Sequence, residues 1–263
     1  MIRKISTCSI FIIFVMLCLQ ASNAFGQVSV NGKSHLETVC PDKTKEPCAT
    51  AKKMIESAAV IVLGEELGAD EWTYTANNML SSSEVGEEKF KDGLKLMDAA
   101  NFWKSYIASP FSGDGTRTKV INNAFLEVYG VLPLAIESKV WMAKIKVKQA
   151  WYTTIVAKEI SNMNSAPIRR QDVITRAYKH AFGRVPNDGD MKYWLPRTEH
   201  YRLLIAAQRV WLYSPNGVND LQNVVKMVLY AKNKKEPLKS DIDAAIKKFA
   251  ANKLIYIEMV KAA

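Results

Sequence analysis

Histidine is scarce in this 263-residue chain. His35, His180 and His200 are the only three, and none sits at a metal-ligand spacing from other donors. That excludes the usual zinc patterns, which need His and Cys at short fixed intervals. Glycine-rich phosphate loops and nucleophile signatures are missing too. So are alternating apolar and polar runs long enough to read as strands, and a sheet is therefore not expected. After residue 24 no apolar run approaches the roughly 20 residues needed to span a bilayer as a helix. Neither a cofactor nor a metal is expected.

What the first residues do contain is an export pattern. Arg3 and Lys4 precede an apolar run from Ile10 to Leu19, and Ser22-Asn23-Ala24 supplies small residues where a signal peptidase cuts. Cleavage after Ala24 is expected, placing the protein in the periplasm or outside the cell. Bulky Leu17 before Cys18 argues against lipid attachment there. Cleavage leaves two of the four cysteines, Cys40 and Cys48. Two cysteines close together in an exported chain predict one structural disulfide.

Charge is unevenly spread. Residues 25–116 hold 9 Lys and Arg against 14 Asp and Glu, while residues 117–263 hold 25 against 12. The front half is mildly acidic and the back half strongly basic, which favours anionic partners such as lipid headgroups or acidic glycans.

Helical apolar patterning dominates the rest, and it recurs. Met54, Ile55, Ala58, Ala59, Val62 and Leu63 lead to Gly64. Val120, Ile121, Ala124, Phe125, Val128 and Tyr129 lead to Gly130. Val173, Ile174, Ala177, Tyr178, Ala181 and Phe182 lead to Gly183, and a weaker copy from Val224 to Leu229 ends at Lys232. Gly130 and Gly183, Pro133 and Pro186, and Trp141 and Trp194 are each 53 residues apart. The prediction is an all-α protein of tandem helical hairpins, about 50 residues each, that bury their faces against neighbours. Its parts are a signal peptide (1–24), an irregular segment with the disulfide (25–48) and an acidic helical region with a degenerate copy (49–108). A linker (109–116) and a basic repeat domain (117–263, units 117–164, 168–216 and 220–263) follow. Asp70 is expected to cap the helix carrying Trp72. Single long helices are expected over 84–107, 136–160, 191–213 and 241–260.

Phe182-Gly183-Arg184-Val185-Pro186-Asn187-Asp188-Gly189-Asp190-Met191-Lys192-Tyr193-Trp194 resembles the Gly-Arg-x-Pro-Asp-x-x-Gly-x-x-Tyr-Trp signature of a bacterial extracellular domain family of unknown function, itself distantly similar to phycobilisome linkers. Gly183, Arg184, Pro186, Tyr193 and Trp194 match, Asn187 replaces the aspartate and Gly189 comes one place early. Over 125–141 the match is fair: Gly130, Pro133 and Trp141 fit, and Val131 replaces the arginine. The resemblance implies all-α packing outside the cytoplasm and no reaction, with structural roles for the signature residues. Arg184 is expected to bond loop carbonyls or Asp188.

For contacts with a partner the back half offers aromatics interleaved with cations: Lys144, Lys148 and Trp151, then Arg197, Arg202, Arg209 and Trp211. The leading expectation is a non-enzymatic binding or scaffold protein of the envelope. It would contact an anionic envelope component, peripherally at a membrane, or another envelope protein, and would not bind a specific nucleic acid. The acidic pairs Glu65-Glu66, Asp70-Glu71 and Glu87-Glu88 give the alternative, a cell-wall glycan hydrolase, which needs two carboxylates across a cleft. A subunit that self-associates through repeat ends is the third reading. Asn187-Asp188-Gly189-Asp190 looks like a calcium-loop fragment but lacks the bidentate glutamate, so a helix cap is expected there.

Overall fold

The computed structural model describes residues 35–42 and 44–263. The expected signal segment and the first part of 25–48 lie outside those residues. Among the described residues regular structure is helical throughout, with no strand, and no helix is long and apolar enough to cross a membrane. Two compact units divide after Tyr106.

The first unit holds α1 (His35–Val39), α2 (Cys48–Leu63), α3 (Ala69–Leu80), α4 (Gly86–Lys91) and most of α5 (Leu96–Ala108). Residues 35–39 are therefore helical where an irregular segment was expected, and the Leu36 N–H donates to Asn77 Oδ1 at 2.8 Å. Cys40 and Cys48 form the expected disulfide, tying the end of α1 to the start of α2. Along α2, Ala51, Ile55, Ala58, Ala59 and Val62 are buried at helical spacing. Asp70 lies inside the first turn of α3 and does not precede it. The start is secured by Glu71, whose carboxylate accepts the Gly68 N–H at 2.7 Å. The helix expected over 84–107 is two helices, because Gly93 takes a positive φ of 105° between them.

The second unit contains three sets of three helices. The first is α6 (Gly113–Tyr129), α7 (Ala135–Lys146) and α8 (Tyr152–Asn164). The second is α9 (Pro167–Phe182), α10 (Asp188–Trp194) and α11 (Tyr201–Leu212). The third is α12 (Val218–Asn233), α13 (Lys239–Ala250) and α14 (Tyr256–Ala262). Residues 109–116 are not an open linker: they form a short 3-10 turn and the first turn of α6. Arg117, buried, fastens this region by donating to the carbonyl of Ile107 at 2.7 Å.

Each first helix ends in a left-handed residue, Gly130, Gly183 or Lys234. Each second helix then begins with a carboxylate that turns back to the N-cap N–H: Glu137 to Leu134 at 2.9 Å, Asp190 to Asn187 at 3.0 Å and Asp241 to Leu238 at 3.3 Å. The long helices expected over 136–160, 191–213 and 241–260 are each broken in two. Lys148 and Lys253 adopt positive φ of 59° and 48°, with Gln149 and Leu254 N–H reaching back to Lys144 and Phe249 carbonyls. That pairing is a Schellman-type stop without its usual glycine. In the middle set Pro196, which has no N–H to donate, comes straight after Leu195, the C-cap of α10. The recurring element is thus three helices, not a hairpin.

Packing follows the order of the sets. α6 lies against α8 and α11, and α9 against α11 and α14. In the second and third sets the third helix therefore serves its own first helix and the first helix of the set before it.

Candidate functional site

A cavity of about 430 Å³ opens in the middle set, built largely from the segment that carries the signature. Tyr178 and Phe182 stand one turn apart on α9, rings 5.1 Å apart and tilted by 32°. The left-handed turn at Gly183 sends the chain back, and the Arg184 guanidinium comes to rest over both rings, 5.2 and 5.4 Å from their centroids. Arg184 donates to Asp190 at 2.7 Å and to the Val185 carbonyl at 3.1 Å, and Asp188 is not its partner. Burial pushes the Asp190 carboxyl up, but hydrogen bonds from Arg184 and the Asn187 N–H, with the Arg184 charge and the Tyr178 hydroxyl, outweigh this and hold it below its ordinary value. Asn187 in turn caps α10, accepting the Asp190 N–H at 2.8 Å, which accounts for the calcium-loop look of this stretch.

Trp194 donates from Nε1 to the Tyr178 hydroxyl at 3.0 Å. Burial raises the Tyr178 phenol well above its usual range, so it stays protonated. Tyr193, half exposed, meets Trp194 edge to face at 5.0 Å and 89°, and the Arg197 guanidinium lies 4.0 Å over its ring. Arg170, buried, donates to the Trp194 carbonyl at 3.0 Å and to the Glu199 carbonyl, fixing the break that leads into α11. From α11 come Gln208 and Trp211, and from α12 comes Asp220, whose carboxylate accepts Trp211 Nε1 at 2.8 Å.

Gln208 is the residue out of balance. It is 2 % exposed, it lines the cavity, and neither its Oε1 nor its Nε2 has a hydrogen-bond partner. A buried amide without partners costs roughly 1–3 kcal/mol. The preceding set shows how such a position is ordinarily closed. Glu159 is the eighth residue of α8, as Gln208 is of α11. Glu159 accepts from Trp141 Nε1 at 3.0 Å, from the Tyr129 hydroxyl at 2.9 Å and from Asn162 at 3.2 Å. Arg169, third in α9, then covers Tyr129 and pairs with Glu137 at 3.1 Å. In the middle set each of these closures is replaced. Trp194 turns to Tyr178, Phe182 has no hydroxyl, Trp211 stands where Asn162 stood, and Asp220 stands third in α12 where Arg169 stood in α9.

The residues singled out in the sequence divide accordingly. Arg184, Tyr193, Trp194 and Trp211 line the cavity, and Arg197 stacks on its rim. Pro186 shapes the loop between α9 and α10, as Pro133 does between α6 and α7. Trp141 is buried, with the Lys144 ammonium 4.5 Å from its ring. Lys148 sits exposed at the Schellman-type stop, and Trp151 is half-buried at the N-cap of α8. Arg202 and Arg209 form internal ion pairs, with Glu127 at 2.9 Å and Glu258 at 2.7 Å.

His180 and His200 do not meet. His180 Nδ1 lies 2.6 Å from the Tyr201 hydroxyl, and His200 Nδ1 lies 3.1 Å from the Glu127 carbonyl. Burial, then Arg176 and Lys261, hold His180 below its ordinary pKa. Of the acidic residues weighed for hydrolysis, Glu71 caps a helix and Glu87 pairs with Lys91. Reading the sequence alone missed Gln208 and Asp220. The register of α8 against α11 marks Gln208, and that of α9 against α12 marks Asp220.

No family model, curated protein or solved structure matches this chain.

Proposed function

We propose that this is a non-enzymatic binding protein of the cell envelope that holds a small ligand in the cavity of its middle helical set. The observation that carries the reading is Gln208, a buried amide with both polar atoms unpartnered inside an aromatic-walled cavity. The cavity volume lies within the roughly 300–1,000 Å³ of small-ligand sites, and such sites are mostly apolar with a few convergent polar groups. The export pattern and the disulfide support a position outside the cytoplasm. Arg202 and Arg209 are engaged by carboxylates, so contact with an anionic envelope component would fall to other cations of the basic half, which holds 25 Lys and Arg against 12 Asp and Glu. The signature resemblance belongs to the same proposal, with Arg184, Tyr193 and Trp194 recast from packing residues to cavity walls.

The test is ligand-observed NMR with a chemically mixed fragment set against the protein and its Gln208→Met variant. The expected result is a group of compounds whose binding depends on Gln208. If no compound distinguishes the two proteins, the cavity is not a binding site.

A further inference from the structure

Building on that reading, we infer that the cavity takes a neutral saccharide, stacked on Trp211 and hydrogen-bonded at its hydroxyl edge to Gln208. The choice of class follows from what each kind of ligand would leave unsatisfied. Gln208 needs both a donor and an acceptor, since Oε1 and Nε2 are both buried and bare. A hydroxyl supplies both. A phosphate or carboxylate only accepts, leaving Oε1 unpaired, and it would face Asp220, because Arg184, the one cation lining the cavity among the described residues, is neutralised by Asp190 at 2.7 Å. A quaternary ammonium offers Gln208 neither. Three of the rings it would need for an aromatic cage are also occupied, Tyr178 and Phe182 by Arg184 and Tyr193 by Arg197.

A flat heterocycle satisfies the amide but wants parallel walls. Tyr193 and Trp194 stand at 89° to one another and form no such slot. A pyranose has a C–H face for one aromatic and hydroxyls around its edge. The indole of Trp211, 45 % exposed and locked by its bond to Asp220, is a platform of that kind. Asp220 also lines the cavity, and its carboxylate is an acceptor for a sugar hydroxyl.

The experiment is saturation-transfer NMR with a tryptophan-fluorescence titration of the purified protein. The probes are maltose, cellobiose, lactose and chitobiose, with choline, inorganic phosphate and adenosine as separate arms. The expected outcome is saturable binding of at least one disaccharide, with strongest transfer to one ring face. Affinity should fall about tenfold or more in Trp211→Ala and in Gln208→Met, and be largely kept in Trp211→Phe. Trp211 is a surface side chain, so loss of its ring leaves the fold intact, as circular dichroism would verify. Binding of choline, phosphate or adenosine in place of the sugars would overturn the saccharide class and leave the cavity as a binding site. A disaccharide bound equally well by both variants would place its site elsewhere and overturn the inference. Silence in every arm would overturn it together with the binding reading.

Discussion

The ring of Tyr201 lies so close over Gly130 that a Cβ on the glycine would sit 2.5 Å from it. Tyr201 is the first residue of α11, and Gly130 ends α6 in the set before. Tyr256, first in α14, covers Gly183 in the same way at 2.8 Å. Each glycine therefore meets two demands, a left-handed turn and room for a ring. In the third set no glycine holds this place, and Lys234 takes the left-handed position after α12 at φ 55°.

Gly130→Ala should lower stability by about 2 kcal/mol or more, from backbone strain together with overlap on the ring. Urea unfolding measures this. Adding Tyr201→Ala to Gly130→Ala should recover part of the loss, and purely additive effects would refute the close contact as its cause.

Lys234→Gly should do the opposite. The lysine bears the left-handed strain without any gain in packing, so glycine is expected to raise stability by up to about 1 kcal/mol. A lower unfolding midpoint would contradict this.

Gln208 and Glu159 occupy matching places but predict opposite signs. Gln208→Met removes a buried amide that bonds to nothing and should stabilise the protein by about 1 kcal/mol. Glu159→Met strands the indole N–H of Trp141 and the hydroxyl of Tyr129, and should destabilise by about 3 kcal/mol. Two destabilising variants would mean Gln208 is satisfied in solution.

Asp190 predicts an acid limb. Its carboxyl is depressed in the folded protein, so its contribution is fully present above the unfolded aspartate value of about 3.9 and is lost as pH falls through the lower folded value. Asp190→Asn should therefore be less stable than the parent near neutral pH, with the gap closing from about pH 4 downward. A gap of constant size from pH 7 to pH 3 would show that Asp190 does not titrate in this way.

Much of the architecture was legible in the residues. The stripes from Val120 to Tyr129 and from Val173 to Phe182 marked their helices, and Gly64, Gly130 and Gly183 marked where they stop. The breaks at Lys148 and Lys253 were not legible, since lysine carries no preference for a left-handed turn and only the packing of the flanking helices imposes one. The cap at Asn187 to Asp190 was legible too, while capping by Glu137 and Asp241 was written in the sequence and passed unread.

The sequence by itself determined the helical class, because apolar spacing and glycine stops act within one or two turns. It also pointed to the pairing of Cys40 with Cys48, eight residues apart and away from the apolar start that holds the other two cysteines. The tertiary structure alone decided which polar side chains are satisfied. Glu159 finds Trp141 and Tyr129 from two other helices, eighteen and thirty residues away, while Gln208 finds no one. Hydrogen bonds reach about 3 Å, so whether a buried amide is closed or left open depends on where three helices come to rest.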